Sequence, residues 1–390
     1  MPLIQRLSPM TDRLAHILAA KKARQVLGAK WSIEKPMLAI YFGGSAGDLY
    51  QIRQWLPVFE QLANELPTII LMKDSVAALE LAKISQLPIR LAGSADAIEP
   101  LAVEWGLQAM FYVNNNLSNF SVLRIPNVRH IHLSHGESEK ASMTSNQLKA
   151  YDYCFVAGQA SADRIMTSLP LFHESHLKLI GRPQLDQLLA ASPFRGIPGR
   201  RTVLYAPTWE GDRPAMAYSS VAGRGEAWTA EILEDESLRL IYRPHPRTGM
   251  RSASTRKADR NIRNLIEAAR KANPSAGHLI DRGLDCNPAM ASADVAIFDV
   301  SAMAIDFSVL KRPYFVSLPS AMHTAMNNSP LWEVARHLDI DDTIPIGHKL
   351  IDALDEGPMA GIEEFVHHHF GELEVGAGVA RLRTTIDALI

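Results

Sequence analysis

The chain has 390 residues, enough for two to three domains at roughly 150 residues each and for a substantial core without disulfide or metal staples. Forty Lys and Arg against 42 Asp and Glu give a net charge of −2, without the basic excess of a dedicated nucleic-acid binder, and a hydrophobic content of 47% excludes wholesale disorder. The only two cysteines, Cys154 and Cys286, are too few for a disulfide framework or a structural zinc site, which points to a reducing cytoplasm.

No apolar run approaches the roughly 18–20 residues that span a bilayer, and Asp12, Arg13 and His16 interrupt any signal-peptide pattern after the first residues. A helical stretch follows from about Ser8 to Lys30, with Leu14, Ile17 and Leu18 on one stripe and Lys21, Lys22, Arg24 and Lys30 towards its end. It reads either as an amphipathic helix packed on its own domain or as a contact with an anionic membrane surface. Met37–Phe42 is a buried first strand, broken by Gly43-Gly44-Ser45-Ala46-Gly47-Asp48. This loop fits neither the dinucleotide fingerprint nor a P-loop and is read as a substrate-side loop. A helix with Ile52, Trp55, Phe59 and Leu62 inward comes next, then a strand at Thr68–Met72 and an Asp74 cap. Further strands fall at Pro88–Leu91, Ala109–Val113, Arg129–Leu133 and Tyr153–Ala157, the last two closing this half.

The turn-rich segment 192–200 reads as a linker. Alternation restarts at Thr202–Ala206 and continues through Leu238–Tyr242, His278–Ile280, Asp294–Phe298 and Tyr314–Val316. Apolar strands alternating with helices predict parallel βαβ units, and hence two α/β halves, 1–191 and 201–390, with a ligand cleft between the carboxyl ends of their strands.

Four strand ends carry groups suited to phosphate chemistry. After the strand at 129–133 stand His135, Gly136, Ser138 and Lys140; the histidine is placed to act as a base near neutral pH, or else merely caps a surface turn. After Thr202–Ala206 come Pro207, Thr208, Trp209, Glu210, Asp212 and Arg213, where Thr208 can donate to a phosphate oxygen and Trp209 is expected to pack in the core. Arg243-Pro244-His245-Pro246-Arg247 fixes an imidazole between two prolines and supplies guanidinium forks that match phosphate. Asp299 and Ser301 occupy the turn into a helix, where Ser301 and the following N–H groups open an anion site, or else Asp299 is only a helix cap, and both can hold together; Asp306 lies one to two turns on. The run His367-His368-His369 reads as accidental surface clustering, and no metal-ligand spacing occurs.

The ordered set His135-Gly136, Tyr205-Ala206-Pro207-Thr208-Trp209, Arg243-Pro244-His245-Pro246, Asp299-Val300-Ser301 with Asp306, and Lys311-Arg312-Pro313 resembles the CDP-glycerol glycerophosphotransferase family of teichoic-acid and capsule primases and polymerases. The resemblance implies an α/β, GT-B-like fold of two facing Rossmann-like domains with a cleft between them: an acceptor-side domain at 1–191 and a nucleotide-donor-binding domain at 201–390. It implies transfer of a glycerol-phosphate or related polyol-phosphate unit from a CDP-linked donor to a hydroxyl of a lipid-linked or polymeric acceptor, with release of CMP. The roles it implies are base for His135 and donor-phosphate contact for His245. Thr208, Arg243, Arg247, Asp299, Ser301 and Asp306 are expected on the donor, and Gly136, Ser138 and Lys140 on the acceptor side. No cofactor, metal or nucleic acid is expected, and the place of action is the cytoplasm, with peripheral contact at the inner membrane face as an option. The chain departs from the family pattern at Glu137, Ser138, Val300 and Ala302. A GT-B glycosyltransferase using a nucleotide sugar and an inactive nucleotide-binding regulator are the competing readings.

Overall fold

The computed structural model describes residues 20–23, 25–27, 35–211, 217–319, 323–326, 329–340 and 345–390. Most of the Ser8–Lys30 helix, together with Asp212 and Arg213, lies outside the described residues.

The expected alternation produces two wholly parallel sheets. The first has the order β3-β2-β1-β4-β5-β6-β7. Its strands are β1 (Leu38–Phe42), β2 (Thr68–Met72), β3 (Ile89–Leu91), β4 (Ala109–Tyr112), β5 (Arg129–His132), β6 (Tyr153–Val156) and β7 (Leu177–Leu179). The second has the order β10-β9-β8-β11-β12-β13. It is built from β8 (Arg201–Ala206), β9 (Leu238–Tyr242), β10 (Leu279–Ile280), β11 (Val295–Asp299), β12 (Tyr314–Leu318) and β13 (Arg336–Asp339). Helices cover both faces of each sheet, so the central strands are apolar on both sides. In β1, Leu38, Ile40 and Phe42 enter one core while Ala39 and Tyr41 enter another. In β8, Leu204 and Ala206 face one side, Val203 and Tyr205 the other.

Two edge strands were not expected. β7 reads Leu-Lys-Leu and β13 reads Arg-His-Leu-Asp; each sits at a sheet edge, where one side of the strand meets solvent and polar residues are tolerated. The first half therefore closes with β7, not with β6.

The expected boundaries at 191 and 201 also shift. Ile180 belongs to the first lobe's core, whereas Leu185 and Leu188 already pack with Ala289 and Met290 of the second, so the chain crosses at Gly181–Pro183. It crosses back near the end: in the helix Ala377–Asp387, Val379, Leu382 and Ile386 are buried in the first lobe's core with Ile40 and Phe59. The second domain thus does not extend to residue 390. Ala23 and Leu27 are buried in that same first core, as the packed-helix reading of this segment expects.

Candidate active site

On the first lobe, β1 ends in a turn that requires glycine. A Cβ on Gly43 would stand 1.8 Å from Ser118 Oγ. The loop is closed by Ser45, whose N–H and Oγ–H donate to Asp48 Oδ2 at 3.0 and 2.8 Å, and the helix Leu49–Arg53 then carries Tyr50 and Gln51 to the cleft. After β5, Ser134 adopts φ 59°, a left-handed conformation that costs a non-glycine residue about 1–3 kcal/mol. Trp55 Nε1–H donates to its carbonyl at 2.6 Å, and its own hydroxyl donates to the Gly136 carbonyl at 3.2 Å. This kink sets the His135 ring against Tyr50. Gly136 passes so close to that lobe that a Cβ there would lie 2.8 Å from Ala302 Cβ.

On the second lobe, the loop after β9 is tied down by Glu210, whose carboxylate accepts from the backbone N–H groups of Gly249, Arg251 and Ser252 at 2.7–2.9 Å. Trp209 stacks on His245, with centroids 6.2 Å apart and planes at 22°, and the Arg247 guanidinium lies 4.1 Å from the Trp209 ring. Trp209 is therefore a half-buried wall of the cleft, a correction to its expected place in the core.

The two lobes meet at Tyr50. Its ring contacts His135 edge-on at 5.7 Å and His245 edge-on at 5.1 Å. Lys140 Nζ reaches across the cleft to donate to Thr208 Oγ1 at 2.9 Å. One crevice thus holds His135, His245, Tyr50, Lys140, Thr208 and Arg247. Burial, aided by the Arg182 and Lys140 charges and opposed by the Val113 carbonyl, lowers the His135 pKa to about 4. Burial, then Lys140, His135 and Arg247, lowers that of His245 to about 3. Both imidazoles are accordingly neutral near pH 7. Burial also lowers the Lys140 pKa to about 8 against the pull of the Asp299 carboxylate.

Other expected site residues are engaged elsewhere. Asp299 is fully buried and is not a helix cap. Its carboxylate accepts from Thr208 N–H at 2.7 Å, Ser220 N–H at 3.2 Å and the Ser317 hydroxyl, so it shapes the Thr208 loop from beneath. Asp306 forms a bidentate buried pair with Arg182, at 2.6 and 2.8 Å, which bolts the lobes together. Arg243 is paired with Asp281 and donates to the Gly283 carbonyl, bracing the loop after β10. Ser138, expected with Gly136 and Lys140 on the acceptor side, is buried and accepts from Lys140 N–H at 3.3 Å, while the Lys140 side chain reaches Thr208 of the second lobe. Ser301 Oγ, at the start of the helix Ala302–Phe307, is buried without a protein partner.

The unusual carboxylates of the His135 loop point inward. Glu137 pairs with Arg164 and Ser161, and Glu139 accepts from the Ser329 hydroxyl and from Leu331 N–H at 3.0 Å. Burial raises the Glu139 pKa, but hydrogen bonds from His369 and Ser329 outweigh it and hold the group below its ordinary value. His369 is fully buried 3.4 Å from Glu139, so it is not part of a surface cluster; His368 faces Asp163 and His367 faces Glu372. Among the described residues, no group of three His, Cys, Asp or Glu is placed to hold a metal ion, and no helix is long and apolar enough to cross a membrane.

Residues 97–322, more than half of the chain, match the family of CDP-glycerol:poly(glycerophosphate) glycerophosphotransferases. The chain belongs to this family. It is therefore a CDP-glycerol-dependent glycerophosphotransferase by family, as the ordered motifs imply. Among solved structures, the wall teichoic acid polymerase TagF is similar over 97% of this chain and 97% of its own, with 15% identity and a TM-score of 0.55. A UDP-N-acetylglucosamine 2-epimerase is similar over 92% and 96%, with 11% identity and a TM-score of 0.56. A glycosyltransferase from Rickettsia africae ESF-5 is similar over 92% and 99%, with 11% identity and a TM-score of 0.52. At such identities the likeness is one of fold, and that fold is GT-B. No curated protein matches the sequence.

Proposed function

We propose that this glycerophosphotransferase works by in-line attack of an acceptor hydroxyl on the donor phosphorus that bears the glycerol. The new O–P bond forms as the bridging P–O bond to CMP breaks, and the hydroxyl proton passes to His135. The observation that carries this reading is the meeting of two neutral imidazoles from opposite lobes on either side of Tyr50. His135 is unprotonated at pH 7 and can take the proton, but a ring held near pKa 4 is a weak base, which puts its contribution at the low end of about 10²–10⁴-fold. In this reading His245, Arg247, Lys140, Thr208 and the Ser301 hydroxyl bind the diphosphate; the two cations and the donors neutralise charge that shifts towards CMP in the transition state. Asp299, Asp306 and Arg243 act one step back, holding the Thr208 loop, the lobe contact and the loop after β10. In this reading the acceptor is a lipid-linked or polymeric hydroxyl compound met at the inner membrane face.

The test is CMP release and product mass from CDP-glycerol, with the acceptor supplied either free or in vesicles. His135→Ala and His245→Ala are each expected to lose at least about 100-fold in turnover while melting as the wild type does. Near-wild-type transfer in both variants, or release of UDP or GDP from sugar nucleotides in place of CMP, overturns the assignment.

A further inference from the structure

Beside His135 the cleft opens into a cavity of about 430 Å³ lined by the first lobe and, from the second, by Arg247, a volume suited to a small ligand. Its walls include Asp48, Gln51, Asn114, Asn115, His132 and Arg247. The amides come from one sequence feature: the fully buried strand β4 runs out into Val113-Asn114-Asn115-Asn116. Their backbone is fixed. Asn119 Nδ2 donates to the Asn114 carbonyl at 2.6 Å and to Tyr151 Oη at 2.9 Å, and Asn116 Oδ1 accepts from Ser118 N–H at 2.9 Å.

Two polar atoms in these walls lack partners. Asn114 is 8% exposed; its Nδ2 donates to Gln51 Oε1 at 2.7 Å, but its Oδ1 is buried with no hydrogen bond. His132 is 6% exposed and its Nε2 is likewise buried and unpaired. A buried polar atom without a partner is costly, so two of them lining one open cavity point to a ligand that supplies the missing bonds. Burial lowers the His132 pKa to about 3, so this ring offers hydrogen bonds without charge. Asp48 contributes a negative charge, and Arg247, which comes from the opposite lobe over Trp209, is the lone permanent cation lining the cavity among the described residues. A phosphate lodged here would face a carboxylate with no cation of this lobe to balance it. Amides and neutral imidazole both donate and accept, which matches hydroxyl groups.

We infer that this asparagine-lined cavity is the acceptor subsite and that it takes an uncharged, polyhydroxylated chain end, with Asn114, Asn115 and His132 setting specificity. The inference rests on the reading of His135 as base, since the cavity brings a hydroxyl beside that ring. Acceptors bearing a terminal phosphate are excluded by the same walls.

The full-length protein is assayed with CDP-glycerol carrying labelled glycerol, using free glycerol and glycerol 3-phosphate as acceptor probes, while calorimetry gives the donor Kd. The wild type is expected to use glycerol with a kcat/KM at least about tenfold above that for glycerol 3-phosphate. Asn114→Ala is expected to raise the glycerol KM by about tenfold with the donor Kd held within about twofold. Asn115→Ala, a half-buried position, gives a smaller shift in the same direction and serves if Asn114→Ala does not fold. A preference for glycerol 3-phosphate overturns the inference, as does a donor Kd that rises in step with the acceptor KM. If CMP is released but no acceptor KM depends on Asn114 or Asn115, the subsite assignment alone fails. If the wild type neither binds CDP-glycerol nor releases CMP from it, the transferase reading fails and takes the subsite with it.

Discussion

Lys140 is held between two opposing forces, the burial that favours its neutral amine and the Asp299 carboxylate that favours the ammonium, and the balance leaves its pKa at about 8. The free enzyme at pH 7 therefore carries this cation and loses it as pH rises through 8. A donor diphosphate binds the charged form better, so kcat/KM for CDP-glycerol is expected to fall on the alkaline side with an apparent pKa near 8. His135 and His245 stay neutral until pH drops towards about 4 and about 3, so the first group of the site to titrate on the acid side is Asp299, whose carboxyl burial raises to about 6, and the acid limb is expected there. Lys140→Arg retains the charge throughout the accessible range, because a guanidinium does not deprotonate there, and should remove the alkaline limb. A limb that stays near pH 8 in that variant belongs to another group. The sequence displayed Lys140 in the right loop but not its direction. Ser134 at φ 59° turns the chain just upstream, and nothing in a serine announces a left-handed residue.

The loop after β5 works as a single element whose residues alternate in direction: His135 and Lys140 face the cleft, while Glu137 and Glu139 anchor to Arg164 and to Ser329 and Leu331. Its position is set by Gly136 against Ala302. An alanine at 136 would bring two Cβ atoms to 2.8 Å, and neither is the end of a flexible chain, so the backbone carrying His135 must withdraw. Displacement of a catalytic group by about 1 Å costs about 10²-fold, and Gly136→Ala is expected to lower kcat by about 10- to 100-fold with a modest loss of stability. The second change Ala302→Gly should restore most of that rate in the Gly136→Ala background; failure to do so would place the defect elsewhere than in this contact. Elements of this kind were partly legible. The central strands announced themselves as uninterrupted apolar runs because both their faces are covered, whereas β7 and β13, at sheet edges, hide in polar sequence. His135 and His245 were legible because each follows such a run. Tyr50 was not, since a tyrosine at the second position of a helix looks like any other packed aromatic until the opposite lobe is in place.

At the scale of the whole molecule the lobes are not two beads on a linker. Arg182 from the crossing segment grips Asp306 of the second lobe and also donates to Gln54 of the first at 3.3 Å, and Glu139 grips the segment at Ser329–Leu331. The final helix returns to the first lobe, where Leu382 and Ile386 are fully buried and Arg383 pairs with Glu65. The sequence pattern shows that this helix is amphipathic but not which lobe receives its apolar face, because the stripe is the same for either. The consequence concerns cooperativity. Burying Val379, Leu382 and Ile386 is worth about 1.5–3 kcal/mol each, a sum comparable with the whole stability of a typical domain, about 5–15 kcal/mol. A fragment of residues 1–183 is therefore expected to lack a cooperative thermal transition and to bind a hydrophobic dye. The same fragment joined through a flexible Gly/Ser segment to residues 377–390 should recover a sharp melt and lose the dye signal. Circular dichroism melting of the two fragments decides the matter: equal, sharp transitions would show that the first lobe is complete without its returning helix, and the coupling between chain ends would then lie only in the cleft contacts.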